Sequence, residues 1–392
     1  MYELFEPTPE HQQLRSMLRD FVEREVDPQA LEHDRDEKFN LPLFRKLGEL
    51  DLLGLTIPPE LGGAGLDAVA VAIVHEELSA ADPAFTLSYL AHSLLCVNNL
   101  YVNGNDEQRE RLLPALASGE KIGGMCMSEP GAGTDVMGLR TTARERGDHF
   151  ILNGSKMWIT NGALNETELG DVFLVYARLE GAPRNAITMF IVEKGFEGFK
   201  LGQKIQDKMG MRASMTAELV FEDCVVPRDN IVGEIGSATL CMMRNLEIER
   251  LGLAAMSLGI ARRSIEIMNR YASERESFGR PLREYGQIQK YIADSYAEYM
   301  AGRAYTYLTA GAMKLDQAGH RLDSDGVKLF CSAMGKNVAD RAIQVLGGYG
   351  YTGEYNVERL YRDAKLLEIG GGTLEAHHKN MTRDLSRVDK IR

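Results

Sequence analysis

The chain has 392 residues, of which 44% are hydrophobic and 26% charged, and its formal net charge is −12. This length suits two or three domains, and the composition is typical of a globular protein. The negative charge argues against binding to nucleic acid or to an anionic membrane surface. Since no apolar run reaches a membrane-spanning length and the acidic start lacks a targeting pattern, we expect no membrane insertion and a cytoplasmic location.

The cysteines are odd in number and scattered, with no metal-type spacing, and the histidines are isolated except for one adjacent pair. We therefore expect reduced thiols that mostly fill the core, and no metal centre. The five cysteines are Cys96, Cys126, Cys224, Cys241 and Cys331.

Residues 1–120 have helical spacing and predict an N-terminal helical domain. Thr8 is a candidate cap for a helix that begins at Pro9, and Pro28 is expected to end or interrupt it. A later helix that begins at Asp106 is expected to stop near Pro114. Between them, helical spacing recurs over residues 68–82 and 84–102.

Residues 121–230 change texture and predict a small β-barrel or sandwich. Short runs of β-branched and aromatic residues alternate with Gly, Asn or Asp, as strands alternate with turns. The pair Asn153-Gly154 predicts a turn. The predicted strands are residues 149–152, 172–176, 187–192 and 218–221.

Residues 231–392 predict a third, helical domain. Helices, then strands, then helices without alternation argue against a doubly wound parallel sheet, so the fold class is α+β and multidomain. The predicted helices are residues 240–272, 284–315, 324–346 and 374–386.

A loop over residues 125–135 stands between the first two textures. Pro130, Gly131 and Gly133 exclude regular structure there, and free backbone N–H groups beside hydroxyls suit an anionic or carbonyl-rich ligand. An ordinary turn explains the loop equally well. Further along, Trp158 is either a core residue or a platform for a flat ring.

Two glycine-rich segments and one pair of acids complete the candidate sites. Residues 344–351 suit either a phosphate-bearing ligand or a helix C-terminus, and residues 369–375 form an anion-friendly helix start that Thr373 caps. Glu247 and Glu249 point to different faces of one helix, so one of them could turn inward and act as a base. Taken alone, this pentapeptide favours a solvated charged face.

Together these segments resemble the acyl-CoA dehydrogenase family over nearly the whole chain. The resemblance implies an N-terminal helical domain, a middle β-barrel or sandwich and a C-terminal four-helix bundle. It also implies FAD as the cofactor, a homotetramer, and an electron-transferring flavoprotein as electron acceptor. The matching segments are residues 59–65, 128–135, 158–162, 275–279 and 346–351.

The resemblance also assigns residues, with FAD phosphates and adenine held partly across a subunit interface. A flavin-contacting glutamine is displaced, because Gly286 stands in its place with Gln287 beside it. Implied FAD contacts are Met125, Cys126, Met127, Ser128, Gly133, Thr134, Trp158, Ile159, Thr160, Arg275, Gln287, Gln344, Val345, Leu346, Gly347, Gly348, Thr373, Leu374 and Glu375. Implied acyl-CoA contacts are Thr134, Leu246, Arg250, Gly370 and Gly371.

The family reaction is α,β-dehydrogenation of an acyl-CoA thioester, with a carboxylate as base. Many members carry that carboxylate in a Tyr-Glu-Gly-Thr segment, but residues 370–373 here read Gly-Gly-Gly-Thr. The isovaleryl-CoA dehydrogenase branch takes its base from the long helix instead, and Glu249 matches that base. The resemblance therefore reverses the preference from the pentapeptide alone and makes Glu249 the predicted catalytic residue.

Three hypotheses follow for the function. The first is oxidation of a short, branched or cyclic acyl-CoA, with a glutaryl- or cyclohexanecarbonyl-type acyl-CoA dehydrogenase as its alternative. The second keeps the fold but changes the reaction to that of an oxidase, monooxygenase or desulfinase. The third is a non-catalytic acyl-CoA-binding or flavoprotein partner, which would need neither a base nor an oriented flavin.

Overall fold

The computed structural model describes residues 3–388, and its N-terminal part is helical, as predicted. Two π-helical segments join α1 to α2 and α5 to α6. The helices are α1 (Pro9–Phe21), α2 (Asp27–Asp36), α3 (Leu41–Glu49), α4 (Ala68–Ala81), α5 (Pro83–Leu90), α6 (Asn99–Asn103) and α7 (Asp106–Ala117), and the π-helical segments are Val22–Val26 and Ala91–Asn98.

Proline positions explain where the predicted helix ends were right and wrong. The Thr8 side chain accepts a hydrogen bond from the His11 N–H at the start of α1, which confirms the cap. Pro28 does not end the helical run, because it lies in the first turn of α2, where its missing N–H is tolerated. The α-helix is nevertheless interrupted just before it, by the π-helical segment Val22–Val26, as the prediction allowed. The prediction that Pro114 stops α7 is wrong: the helix continues to Ala117, with Leu113 buried beneath it.

The middle of the chain forms an eight-stranded sheet, with strand order β6-β7-β3-β2-β4-β5-β8 and β1 paired in parallel with β4. Aromatic contacts link strands that are not neighbours in this order: the rings of Phe173 and Phe199 lie 5.7 Å apart. The sheet therefore curls around its own core. The strands are β1 (Gly123–Cys126), β2 (Thr142–Arg146), β3 (His149–Thr160), β4 (Val172–Leu179), β5 (Ile187–Glu193), β6 (Phe199–Lys204), β7 (Thr216–Pro227) and β8 (Ile231–Val232).

The predicted turn at Asn153-Gly154 is wrong, because both residues lie inside β3. The register between β3 and β7 shifts between Leu152 and Gly154, which marks a bulge. A Cβ on Gly154 would lie only 2.6 Å from Thr141 Oγ1, so the glycine permits a close approach rather than a reversal of the chain.

The C-terminal part is helical again, and the predicted helices there are confirmed to within a few residues. The prediction missed α12. The elements are α8 (Ala238–Glu274), β9 (Glu276–Ser277), β10 (Arg280–Pro281), α9 (Gly286–Ala312), α10 (Arg321–Leu346), α11 (Gly348–Tyr351), α12 (Val357–Leu367) and α13 (Leu374–Leu385).

Helix α8 is the centre of the molecule. It packs against α10 and α9 on one side and against α4 and α5 of the N-terminal part on the other, and its first turns contact the sheet. Helix α4 is buried along its whole length. No helix in the described range is long and apolar enough to cross a membrane.

Candidate active site

Glu249 lies in α8 where that helix is enclosed on all sides, and its side chain is only 8% exposed. Burial raises its pKa to about 7, although the nearby charges of Arg250 and Lys328 lower it. Within residues 3–388, Glu249 Oε2 has no hydrogen-bond partner. A buried carboxylate with a raised pKa and a free oxygen is suited to accept a proton near neutral pH.

Glu247 faces a different environment from Glu249. Its carboxylate accepts the backbone N–H groups of Gly319, at 3.2 Å, and His320, at 2.8 Å. The two acids therefore point to different faces, as predicted, but neither belongs to a solvated charged face, since both are buried. The Glu247 carboxylate is hydrogen-bonded to the backbone of a loop, whereas Glu249 retains a free oxygen.

The glycine turn, residues 370–372, lies directly beside Glu249. A Cβ built on Gly371 would lie 3.5 Å from the carboxyl carbon of Glu249 and only 2.3 Å from Leu253 Cδ1. Gly371 also has a φ of +64°, so glycine is required there for both space and conformation. Arg250 Nε donates to the Gly371 carbonyl at 3.3 Å. The structure thus brings the predicted base and two predicted substrate contacts together.

The end of β1 and the loop that follows it reach the same region from the sheet. Met125 Sδ lies 3.9 Å from Asn245 Nδ2, one helical turn before Glu249 on α8. The Ser128 carbonyl accepts the Met157 N–H at 2.9 Å, so the loop is fixed to β3 just before Trp158. Met125, Met127 and Ser128 are all partly exposed, consistent with a binding surface.

Trp158 is 55% exposed and has a left-handed backbone with a φ of +60°, so it is not a core residue. An exposed indole face held by a strained strand suits stacking on a flat ring system. Gly133 and Thr134 are exposed on the loop, with open space around Gly133. These observations fit an isoalloxazine ring between the loop and β3.

Two of the predicted flavin contacts point elsewhere. The side chains of Cys126 and Ile159 are buried in the core of the sheet domain. Only their backbone atoms are available to a cofactor, because alternate residues of a strand face opposite sides. Thr160, the next residue of β3, is half-buried and faces away from that core.

A second group of predicted FAD contacts lies at the far end of the helical domain. Arg275 follows α8, and the 26 residues from Glu249 to Arg275 span about 39 Å at the helical rise. Val345 and Leu346 are buried in a cluster that Tyr271 shares, so only their backbone is available there. The exposed members of this group are Arg275, Gln287, Gln344, Gly347 and Gly348.

The remaining predicted contacts lie next to the glycine turn. Thr373 caps α13, and its hydroxyl accepts the Ala376 N–H. Leu374 is half-buried and Glu375 is exposed. Gly370 is half-buried, and its N–H donates to the Leu366 carbonyl at 2.8 Å.

Leu246 is buried in a cluster formed by the N-terminal helices and the sheet. Met125 packs against this cluster, and so does Met127. Leu246 therefore lines the apolar wall between the loop and α8, one turn before Glu249.

Sequence reasoning missed two ionic groups at this site. A buried pair joins Lys156 Nζ to Glu129 Oε1 at 2.9 Å, and Glu129 also accepts the N–H groups of Arg140 and Thr141. This pair fixes the loop to β3 from below. The second group is Asp325, Lys328 and His377, all fully buried behind the glycine turn. Only Glu129 could have been found from the sequence, since it lies inside the loop motif. Charged residues of a helix such as α10 usually face solvent, so their sequence does not show that they are buried.

Comparisons with known proteins point to one family along nearly the whole chain. The family model described as "Acyl-CoA dehydrogenase, N-terminal domain" matches residues 8–120, the middle-domain model matches 124–224, and the C-terminal-domain model matches 239–386. Mitochondrial isovaleryl-CoA dehydrogenase of Solanum tuberosum is 40% identical over 385 residues, which cover 97% of this chain and 91% of that protein. The short-chain specific acyl-CoA dehydrogenase of Clostridium acetobutylicum is 40% identical over 373 residues, covering 95% of this chain and 96% of that protein.

Solved structures give the same result. A chain from the structure described as "Electron transferring flavoprotein of Acidaminococcus fermentans: Towards a mechanism of flavin-based electron bifurcation" has a TM-score of 0.92 at 35% identity, covering 97% of this chain and 99% of that one. An acyl-CoA dehydrogenase from Bacillus anthracis, complexed with FAD, has a TM-score of 0.90 at 34% identity, covering 97% of this chain and 67% of that one. The chain thus belongs to the acyl-CoA dehydrogenase family, with FAD as its cofactor, and is an oxidoreductase.

Proposed function

We propose that this protein oxidises a short, branched or cyclic acyl-CoA to the 2-enoyl-CoA, with Glu249 removing the α-proton. The observation that carries this proposal is the buried Glu249 carboxylate beside the glycine turn. Its pKa is raised to about 7 by burial, and one of its oxygens has no partner within residues 3–388. The names of two relatives, an isovaleryl-CoA and a short-chain specific dehydrogenase, support a short acyl group.

Two parts of the site carry the chemistry, Glu249 and the glycine turn beside it. Glu249 takes the α-proton and becomes a neutral acid, the form that its buried position favours. The electron pair left at the α-carbon forms the double bond as the β-hydrogen departs with its own pair. FAD, when bound, supplies the acceptor for that hydride. The Gly371 N–H would donate to the thioester oxygen and stabilise the developing enolate.

The glycine turn explains why the base can sit on α8. A side chain at residue 371 would compete with the Glu249 carboxylate for the same space, since its Cβ alone would approach within 3.5 Å. Three glycines leave that space to Glu249 and to the substrate. Leu246 lies one turn before Glu249 on α8, and Leu90 Cδ1 would lie 3.0 Å from a Cβ on Gly252, one turn after it. These buried leucines would limit the acyl group to a short or compact one.

The two groups of FAD contacts favour an assembly of several copies, and the family resemblance makes a homotetramer the proposed form. Arg275 is separated from Glu249 by about 39 Å of helix, so one chain does not bring both groups to one cofactor. Phe278, at the tip of the β9–β10 hairpin, is 96% exposed. A second copy would cover that side chain and place Arg275 against the first copy's FAD. An electron-transferring flavoprotein would then reoxidise the cofactor.

The proposal is tested by anaerobic titration of the yellow holoenzyme with isovaleryl-CoA, butyryl-CoA and isobutyryl-CoA. The flavin absorbance of the wild type should bleach with at least one of them. Glu249→Gln should bleach at least 100-fold more slowly, within the range that general bases contribute. Glu247→Gln is the matched control, because it removes a buried acid two residues away whose carboxylate is already bonded to a loop. Unchanged bleaching in Glu249→Gln would refute the base.

The acyl group is identified by a panel with an artificial electron acceptor. We expect the highest kcat/KM with isovaleryl- or butyryl-CoA, and lower values with glutaryl- and cyclohexanecarbonyl-CoA. A clear preference for glutaryl-CoA would contradict the apolar wall formed by Leu246 with Met125 and Met127.

A further inference from the structure

The glycine turn is held from one side by three cationic or ring donors. Arg250 Nε donates to the Gly371 carbonyl, and Lys328 Nζ donates to the Gly372 carbonyl at 2.6 Å. His377 Nε2 lies 3.0 Å from the same Gly372 oxygen. Gly371 and Gly372 both have positive φ, at +64° and +103°. A turn without side chains is thus fixed through its carbonyl groups.

The N–H side of the turn is free. Within residues 3–388, the Gly371 N–H makes no backbone hydrogen bond, whereas the Gly370 N–H donates to Leu366. Successive glycines have a large conformational entropy, so contacts that fix their carbonyls also fix where the free N–H points. The donors behind the turn therefore restrict the dihedral angles of Gly371 and Gly372 and, through them, the orientation of the preceding peptide plane that carries the Gly371 N–H.

A single buried carboxylate organises these donors. Asp325 Oδ1 lies 2.6 Å from His377 Nδ1 and 3.0 Å from Arg250 NH1. Both ring nitrogens of His377 face acceptors, and only a protonated ring can donate to both. Burial lowers the pKa of His377, although Asp325 opposes this effect. An amine donates in either protonation state, so Lys328 is the donor to Gly372 that does not depend on the state of the ring.

A lysine is an expensive residue for this position if packing is its only role. Lys328 is fully buried in α10, and burying an ammonium without compensation is strongly unfavourable. A leucine or methionine would fill similar volume at no such cost. The charged and titratable groups that face Lys328 are Glu249 and Arg250 of α8, Asp325 of α10, Glu368 after α12 and His377 of α13.

We propose that Lys328 is a positioning residue: by holding the Gly372 carbonyl together with His377, it aims the free Gly371 N–H at the substrate thioester. This inference rests on the proposed function. It goes beyond the base itself, because it assigns activation of the α-proton to a residue on another helix that does not touch the reacting carbon.

The test uses the FAD-loaded protein and (methylthio)acetyl-CoA, which has acidic α-hydrogens but sulfur in place of the β-carbon. Exchange of its α-hydrogens in D₂O requires the base and the aimed N–H but no hydride transfer, and mass spectrometry measures it. In Lys328→Met we expect exchange at least 10-fold slower, and a change of less than 3-fold in the dissociation constant of the analogue. Burial lowers the pKa of Lys328 to about 7, so the lysine is charged only below that pH, where it lowers the pKa of Glu249. In Lys328→Met the acid limb of the exchange profile should therefore move to higher pH.

Two further variants keep the test decisive. Lys336→Met removes a lysine from the same helix that reaches Glu368 but not the turn, and it should leave exchange unchanged. His377→Gln keeps one donor near Gly372 and should slow exchange less than Lys328→Met does. If Lys328→Met does not fold, Lys328→Gln takes its place: its side chain is one bond shorter than that of lysine and should lose the contact with the Gly372 carbonyl, so a wild-type exchange rate in that variant overturns the inference.

The outcomes also separate this inference from the proposed function. Wild-type exchange with an equal rate and an equal pH profile in Lys328→Met overturns only the role of Lys328. Absence of exchange and of dehydrogenation in the wild type overturns the proposed function and this inference with it.

Discussion

The two buried glutamates Glu76 and Glu249 have pKa values shifted in opposite directions. Glu76 lies in α4 at the junction between the N-terminal helices and the C-terminal helices. Burial would raise its pKa, but Arg303, Arg15 and Arg262 together outweigh burial and lower the pKa to about 2. Glu249 has weaker compensation, and its pKa rises to about 7.

The hydrogen bonds show the same contrast. Glu76 Oε1 accepts the Tyr299 hydroxyl at 2.9 Å, and Oε2 accepts the Tyr307 hydroxyl at 2.5 Å. Arg303 Nε lies 2.9 Å from Glu76 Oε1. Glu249, by contrast, leaves Oε2 unpaired within residues 3–388. Burial alone does not make a carboxylate reactive. Other residues of the protein complete the hydrogen bonds of Glu76, whereas the free oxygen of Glu249 is left for a substrate.

The largest effect should come from removing the charge of Glu76, which several buried arginines share. Glu76→Gln keeps the shape of the side chain but leaves several buried arginines without their shared anion. We expect the free energy of unfolding to fall by about 3–5 kcal/mol, or the melting temperature by about 5 °C. Differential scanning calorimetry measures this. A melting temperature within 1 °C of wild type would show that the Glu76 network does not stabilise the fold.

The second prediction uses opposite pH windows. The folded-state pKa of Glu249 lies above its ordinary value of 4.5, so the folded state binds the extra proton and stability falls as pH rises from about 4.5 through 7. Glu249→Gln should therefore be more stable than wild type at pH 8, by at most about 3 kcal/mol at 1.36 kcal/mol per pKa unit. The two proteins should be equally stable near pH 4.5.

Glu76 provides the control for this sign. Its folded-state pKa is lowered, so its contribution is present above about 4.5 and is lost only as pH falls toward 2. Glu76→Gln should thus be least stable relative to wild type at neutral pH. Melting curves of both variants between pH 4 and pH 8 would contradict the comparison if their differences from wild type followed the same trend.

A smaller effect is expected from the glycine turn. Gly371→Ala introduces a Cβ 2.3 Å from Leu253 Cδ1 at a φ of +64° and should cost about 1–3 kcal/mol. Gly370→Ala is the matched control, because its Cβ would meet nothing closer than the Leu366 carbonyl oxygen at 3.6 Å. Equal melting temperatures for the two variants would show that the turn adapts freely.

The smallest effect should come from an exposed ion pair on the sheet. Lys200 Nζ lies 2.7 Å from Glu222 Oε2, with both side chains well exposed. Lys200→Gln should change the free energy of unfolding by less than about 0.5 kcal/mol, because solvent screens such pairs. A loss as large as that of Glu76→Gln would mean that burial does not distinguish the two centres.

Much of the fold could be predicted from local pattern. The Thr8 cap, the long helix α8 and the strand runs of the sheet follow from residues close together in sequence. Errors arose where distant contacts override local preference. Pro114 is tolerated inside α7 because that helix buries leucines beneath it, and the Asn153-Gly154 pair stays extended because β7 pairs alongside it.

The amino-acid order alone determined the succession of helical, strand-rich and helical regions and the loop after β1, and it offered Glu247 and Glu249 as two candidate acids, between which only the family resemblance chose. These depend on spacing and on residue types that a motif displays directly. Only tertiary structure decided that Glu249 retains an unpaired oxygen while Glu76 is saturated by arginines and tyrosines. It alone placed Lys328 and His377 behind the glycine turn. The physical reason is that desolvation and pairing depend on neighbours from other helices, which no local stretch of sequence specifies.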